Sequence, residues 1–467
     1  MEPDLDRLFD FESHGGLFPQ FESVWDAAFR PAREYADLVR ESAAGRKRVA
    51  VLVTHPLSFA ALFLAFAREE VDLFFYSPTW GKVELDTARR VSDAHFEIAD
   101  SRPGVFSGSR NQRAGACQPV ETGANRLRVM IATGGTSGRI RFAIHDWSTL
   151  SAAAYGFQQH VSCSKMAGHC VLPLYHVSGF MQLVRALLTM GSVVFGRLET
   201  FAADHQLMLK VGRDVRFLSL VATQLERLLR DEANGPRLRE YRAVFLGGGP
   251  APVGLLEKAR GLGLPLAPTY GMTETAAQVA TLSPERFLAG DTHQGRALPH
   301  VRIEIVDQEV SSQKAPPGEI GLIQVQGLSL FRGYYGDPLS KSNLSVLTTD
   351  LGSMDAAGHL TVLGRADRVV ITGGEKVNLR EVELVFEASG LVSDVYAFGR
   401  DDREWGQAVW VAYVPQDKGI GEAVLRERIA EELSPFKMPK RWLRLGVVPR
   451  NEAGKPMLRE LEAKAGV

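Results

Sequence analysis

Residues 131 to 143, IATGGTSGRIRFA, gather hydroxyls, glycines and arginines into one short loop that leaves an apolar strand. That mixture suits a phosphate. Gly134, Gly135 and Gly138 let the backbone turn tightly and aim amide N–H groups at an anion. Thr133, Thr136 and Ser137 add hydroxyl donors, and Arg139 and Arg141 add positive charge. No Lys-Ser or Lys-Thr pair follows, so the loop is not a Walker A site. A second constellation, APTYGMTETAAQ at 267 to 278, combines a ring, hydroxyls and a carboxylate. Tyr270 offers a flat face to a base, Thr273 a hydroxyl to phosphate, and Glu274 an oxygen to Mg²⁺, which favours carboxylates combined with substrate phosphates. The plain alternative is a helix start, with Thr273 as its cap and Glu274 favoured by the dipole.

Three further signals stand downstream. In TTDLG, at 348 to 352, Asp350 precedes an expected turn and has the acceptors for a ribose diol; Arg365, in GRAD across a short β pair, has donors for ribose or phosphate oxygens. In PRNEAGKPMLRE, Lys455 follows a glycine in a polar turn. Taken singly, a turn aspartate, a surface arginine and a solvated lysine explain these positions equally well.

The elements that must position these residues alternate. Apolar β-rich runs at 48–55, 72–78, 128–133, 169–176, 217–223 and 243–250 are separated by helical patterns such as 57–69, 179–190 and 224–231. Such alternation predicts βαβ units and a mainly parallel α/β sheet. From about 293 the runs VRIEIVD, GEIGLIQVQG and HLTVLG, divided by Gly, Pro and Asp turns, predict a small antiparallel β subdomain to 364. A charged, glycine-bearing seam, GRADRVVITGGEKVN, then leads into a compact α+β pattern, so the expected domains are 1–364 and 365–467.

The chain has 467 residues, 45% apolar and 23% charged, with a formal net charge of −1. Its length accommodates more than one core. That balance gives no global field for nucleic acid or a membrane surface, so anion binding must be local. Cys117, Cys163 and Cys170 form no CxxC pair and read as reduced thiols of a cytoplasmic protein, with His169 beside Cys170 no metal site. The longest apolar run, FAALFLAF, is far too short to span a bilayer and reads as a core helix.

The order and spacing of the Thr/Ser/Gly loop, LYHVSG, YGMTE, TTDLG, GRADRVVITGGEKVNLREVE and PRNEAGK closely resemble the adenylate-forming acyl-CoA ligase superfamily from about residue 125 onward. Within it, LPLYHVSGFMQ, SGRIRFAIHDW, LAPTYGMTETAAQVATL and FLAGDTHQGRALPH are similar to the ligases of menaquinone and phylloquinone synthesis that act on o-succinylbenzoate. The resemblance implies an acid–CoA ligase using ATP, Mg²⁺ and CoA, with a mobile C-terminal domain and no partner beyond these small molecules and its acid. A homodimer is compatible with it. It implies ATP contacts at Thr133, Gly134, Gly135, Thr136, Ser137 and Gly138, at Gly247, Gly248 and Gly249, at Tyr270, Gly271, Met272 and Thr273, and at Asp350, Arg365 and Lys455. Catalytic roles fall to Lys455, Thr273, Glu274 and His176, with Glu274 also the metal ligand. His176, Ser178, Gln182, Ser219, Thr223 and Gln224 fall in the acyl-pocket segments. Gly373 and Gly374 match the pantetheine tunnel and Asp367 the hinge. Arg141 stands where many members carry lysine, and Phe142 where they carry glycine, which leaves open whether Arg139 or Arg141 touches phosphate. A different acid, aryl or fatty, and a non-catalytic nucleotide-binding relative are the competing readings.

Overall fold

The computed structural model describes residues 17–18, 25–42, 46–111, 127–134, 140–210, 212–307, 313–337, 344–373, 375–403, 405–451 and 454–465. These residues form a mixed α/β molecule with four sheets. The first holds β1 (Lys47–Leu52), β2 (Val71–Phe75), β3 (Phe96–Arg102), β4 (Val105–Arg110), β5 (Arg128–Gly134) and β6 (Ile140–Asp146) in the order β4-β3-β1-β2-β5-β6. Its inner strands are parallel and its two outer pairs antiparallel. The helix Pro56–Phe66 is buried from Leu57 to Phe66, as a helix apolar all round must be. Pro56 fits its first turn and the His55 ring accepts a hydrogen bond from the Leu57 amide.

One charged pair lies inside this sheet. Arg128 of β5 faces Asp72 of β2 in register and grips it with two hydrogen bonds, Nε to Oδ1 at 2.7 Å and Nη2 to Oδ2 at 2.5 Å. Arg46 adds a third at 3.0 Å. A doubly bonded pair of this kind is how a buried guanidinium is ordinarily satisfied.

The second sheet runs β13-β12-β11-β10-β9-β7-β8, from β7 (Ala167–Cys170), β8 (Ser192–Phe195), β9 (Arg216–Val221), β10 (Ala243–Gly247), β11 (Leu266–Met272), β12 (Ala277–Thr281) and β13 (Arg296–Ala297). It is parallel from β8 to β11 and closes with antiparallel β12 and β13. The third is the antiparallel ladder β14 (Val301–Val306), β15 (Gly321–Gly327), β16 (Ser345–Met354) and β17 (Leu360–Arg365). The fourth contains β18 (Val369–Thr372), β19 (Glu375–Asn378), β20 (Val392–Asp402), β21 (Gly406–Pro415) and β22 (Arg441–Arg444). Its core gathers Val370, Val377, Phe386, Val411 and Trp442.

Two local readings of the sequence are corrected. The run 169–176 does not continue as a strand beyond Cys170, because Pro173 and the turn after it lead into the helix Val177–Leu188, whose N-cap is His176. Asp350 does not precede a turn. It sits inside β16, opposite Arg365 of β17, since the strand extends to Met354.

Candidate active site

Thr133 and Gly134 end β5 and pair with Arg141 and Ile140 of β6, so the phosphate-loop sequence closes a β hairpin. Gly135, Thr136, Ser137, Gly138 and Arg139 lie outside the described residues. Phe142 is fully buried and packs its ring edge-on to Phe74 at 5.1 Å, which explains why an apolar residue replaces glycine there. Arg141 is engaged on the outer side of the hairpin. It pairs with Asp337 at 2.7 Å and lies 3.4 Å over the Tyr334 ring. The Tyr334 hydroxyl in turn donates to Glu274 Oε1 at 2.5 Å, and burial and this carboxylate together push its pKa up.

Residues 331–335 run beside β6 and fasten Glu274 to it. Arg332 N donates to Ile144 O at 2.8 Å, Tyr335 N to Phe142 O at 2.8 Å, and Phe331 N to Glu274 O at 2.9 Å. Arg332 also pairs with Asp146 at 2.8 Å. From β6 itself, His145 Nε2 lies 2.7 Å from Thr273 O; a carbonyl only accepts, so this nitrogen carries the proton. Burial pushes the His145 pKa down to about 4 although that hydrogen bond opposes it. Thr273 is not the cap of its short 3-10 turn. Met272 is, and the Thr275 hydroxyl three residues on accepts from Met272 N and donates to Met272 O, both at 3.0 Å. Among the described residues the Thr273 hydroxyl meets no hydrogen-bond partner and stays available.

Tyr270 departs from its expected place as an open aromatic face. Only 8% exposed, it packs with Val279, Ile303, Ile323 and Leu360, and its hydroxyl donates to Asp350 Oδ2 at 2.7 Å. Arg365 Nη1 lies 3.9 Å from Asp350 Oδ1, so ring, carboxylate and guanidinium form one cluster. Gly271 serves the backbone: a Cβ there would sit 2.1 Å from Ala277 O, at the bulge between β11 and β12. Met272 is half-buried behind it. Beyond β10, Gly248 has φ +85°, while a Cβ on Gly249 would meet nothing within 4 Å and one on Gly247 would lie 2.7 Å from Thr269 Oγ1.

A small cavity, with about 20 Å³ of room for water-sized molecules, lies between the helices Trp147–Val161 and Val177–Leu188 and strands β7, β9 and β10. Phe157, Met166, Phe217 and Phe245 form its apolar side, and Gln182, Arg185 and Ser219 its polar side. Of the six acyl-pocket candidates, Gln182 and Ser219 thus line the cavity. His176 caps the helix above it, half-buried, with its ring 4.8 Å from Tyr175. Ser178 is exposed on the first turn. Gln224 is taken up by the backbone, accepting from Val221 N at 3.1 Å and donating to Val171 O at 3.3 Å.

Arg185 was missed by sequence reasoning. It is 4% exposed, and burial pushes its pKa down to about 9, leaving it a cation at neutral pH. Among the described residues it forms no ion pair: Nη2 donates to Gln278 Oε1 at 2.5 Å, the guanidinium lies 3.8 Å over the Phe157 ring, and Nε has no partner. Two carboxyl-free neighbours therefore hold a charge that proteins seldom bury alone. The available signal was an arginine in a helix buried at every position from Gly179 to Leu188.

Lys455 is exposed on a turn closed by Asn451, whose side chain accepts from the Lys455 amide at 2.9 Å. That turn lies against the end of β9 and the start of the helix after it. A Cβ on Gly454 would lie 3.6 Å from Thr223 Oγ1 and 3.7 Å from Val221 Cγ2. Gly373, at φ +57°, donates its amide to Trp405 O at 2.9 Å. Gly374 is outside the described residues, and Asp367 falls in the 3-10 turn Ala366–Arg368 with its side chain also outside them.

The AMP-binding enzyme model matches residues 32–335, and the AMP-binding enzyme C-terminal domain model residues 381–455. The 2-succinylbenzoate–CoA ligase of Geobacillus kaustophilus is 33% identical over 482 aligned positions, covering 96% of this chain and 94% of its own. That of Bacillus licheniformis is 33% identical over 360 positions, covering 74% and 73%. The o-succinylbenzoate CoA synthetase MenE of Bacillus subtilis, solved with the acyl-adenylate intermediate OSB-AMP, superposes with a TM-score of 0.76 at 25% identity, covering 95% of this chain and 93% of that one. Matched by the family's model over residues 32–335 and by a relative 33% identical across nearly its whole length, the chain belongs to the family of AMP-binding enzymes.

Proposed function

We infer that this chain is an ATP-dependent acid–CoA ligase that converts o-succinylbenzoate, ATP and CoA to o-succinylbenzoyl-CoA, AMP and pyrophosphate by way of an acyl-adenylate. The observation that carries the choice of acid is Arg185, a buried cation without a carboxylate beside an aromatic-lined cavity. An aromatic acid with two carboxylates supplies what this pocket lacks. Its ring enters beside Phe157, Phe217 and Phe245, which must part to widen the small cavity, the ring carboxylate meets Arg185, and the flexible arm carries the other carboxylate toward the nucleotide. A fatty acid would leave the buried charge uncompensated.

In the first step an oxygen of the arm carboxylate, ionised at neutral pH, attacks the α-phosphorus, and the bond to the leaving pyrophosphate oxygen breaks. Carboxylate and triphosphate repel, so fixed donors and cations lower this barrier most. Thr133, Gly134 and the loop after them grip the phosphates with the Thr273 hydroxyl. Mg²⁺ would bind Glu274 beside substrate phosphates, a fit supported by a carboxylate that Tyr334 holds by one oxygen, and it would neutralise charge. Asp350 and Arg365 take the ribose, the turn after Gly247 leaves room for the base, and Lys455 bridges carboxylate and α-phosphate. His176 closes the pocket. In the second step the CoA sulfur attacks the acyl carbon, AMP leaves with the bonding pair, and the thiol proton passes to solvent. We assign residues 365–467 to a domain that turns about Asp367 between steps, bringing Gly373 and Gly374 to the thiol arm. Using ATP and CoA, the enzyme works in the cytoplasm.

The test is acid-dependent pyrophosphate release and thioester formation across o-succinylbenzoate, benzoates and fatty acids. Failure of o-succinylbenzoate among good substrates sinks the assignment. For the domain turn, Lys455→Ala is expected to lose adenylate formation by about 100-fold or more yet still convert pre-formed acyl-adenylate to thioester. Equal loss of both steps excludes the turn.

A further inference from the structure

We propose that Gln278 is the residue that sets the preference for a second carboxylate, by holding Arg185 in place without neutralising it. The proposal rests on the acid assigned above. Gln278 reaches the guanidinium from β12, is 9% exposed, and accepts the Nη2 hydrogen at 2.5 Å through its amide oxygen. Phe157 fixes the plane of the same group from below at 3.8 Å. Position and orientation of the cation are therefore set by an amide and a ring, neither of which carries charge.

That choice of partners has an electrostatic consequence. A glutamate at 278 has nearly the same shape and would accept the same hydrogen bond, but it would complete an ion pair inside the protein. The pocket would then have no net charge to attract a substrate carboxylate, and the incoming anion would face the new one. With glutamine, the desolvated charge of Arg185 is left for the substrate to match. The nearby imidazole does not share this role, since both nitrogens of His300 are buried without partners and its pKa is pushed down to about 4 by burial first and by Arg185 second. At neutral pH Arg185 is the cation of this group of side chains. Gln278 is thus a positioning residue acting through Arg185.

The experiment compares wild type, Gln278→Glu and Gln278→Met with o-succinylbenzoate and with 4-oxo-4-phenylbutanoate, which lacks the ring carboxylate. The readout is the ratio of kcat/KM for the two acids. Wild type is expected to favour the dicarboxylate strongly; Gln278→Glu is expected to cut the ratio at least about 30-fold, chiefly through KM. Gln278→Met, which loses the acceptor without adding charge, is expected to cut it about 10-fold. A Glu variant that keeps the wild-type ratio overturns the proposal. Should that variant not fold, an unchanged ratio in the Met variant overturns it. A wild-type ratio near one instead overturns the assignment of the acid, so the two failures are separate.

Discussion

Arg128 and Arg185 are buried to nearly the same degree, 2% and 4% exposed, in the first and second sheet regions, yet they are held in opposite ways. Arg128 has Asp72 doubly bonded to it, with Arg46 completing the group. Arg185 has an amide, a ring and a cavity. The first arrangement is closed: every charge is answered within the fold, and it contributes register between β2 and β5. The second is open, and a fold does not hold a guanidinium in that condition for its own stability. Burial alone does not separate structural from functional charge. The missing counterion does.

The sharpest way to break this comparison is to remove a charge from each region. Asp72→Asn leaves Arg128 buried and uncompensated, and is expected to cost about 3–5 kcal/mol of stability by chemical denaturation. Arg185→Met removes the uncompensated charge itself. Its unfolding midpoint is expected to equal or exceed that of wild type, while kcat/KM for o-succinylbenzoate falls at least about 30-fold. A marked loss of stability in Arg185→Met would place both arginines in the same class.

A smaller effect concerns acid. Burial disfavours the imidazolium and pushes the pKa of His145 and of His300 down to about 4 in the folded chain. In the unfolded chain they titrate near about 6.5. Between these values the unfolded chain binds more protons, so stability falls as pH drops through this window and is unaffected by these groups above it. Each contributes a slope of about 1.4 kcal/mol per pH unit near its middle, measurable as denaturation midpoints from pH 7 to 4.5 with His145→Gln and His300→Gln as flatter controls. The comparison sharpens further in the position of His300 itself. Arg185→Met is expected to raise its titration, read by imidazole NMR, and Asp72→Asn to leave it unchanged.

Much of the site was legible because its chemistry is written in short contiguous runs. The Thr/Ser/Gly loop and the YGMTE run each carry their donors and acceptors within a few residues, and Asp350 and Arg365 stand on adjacent strands of one short β pair. Partners that meet only across the fold were not legible. Tyr334 is 60 residues from Glu274 and Gln278 is 93 from Arg185, and nothing local to Tyr334 or Gln278 announces either contact. Tyr270 shows the same limit in reverse: its type suggested stacking, but packing by Ile303, Ile323 and Leu360 from later in the chain covers the ring and turns its hydroxyl to Asp350. The parallel core was readable from β-rich runs, whereas the end of β7 was set by a turn and a helix cap that an apolar run conceals.

The resting place of Gly454 bears on how much product is wasted. Gly454, the residue that precedes Lys455, stands against Val221 and Thr223, where β9 passes into the next helix. An acyl-adenylate is a mixed anhydride that water destroys. On the domain turn proposed above, the lysine that helps make it leaves this place only with the movement that presents the thiol. Leakage is then governed by timing: the intermediate meets water in the interval between the turn's departure and the arrival of CoA, so scarcity of CoA lengthens that interval and spends ATP on hydrolysed acid.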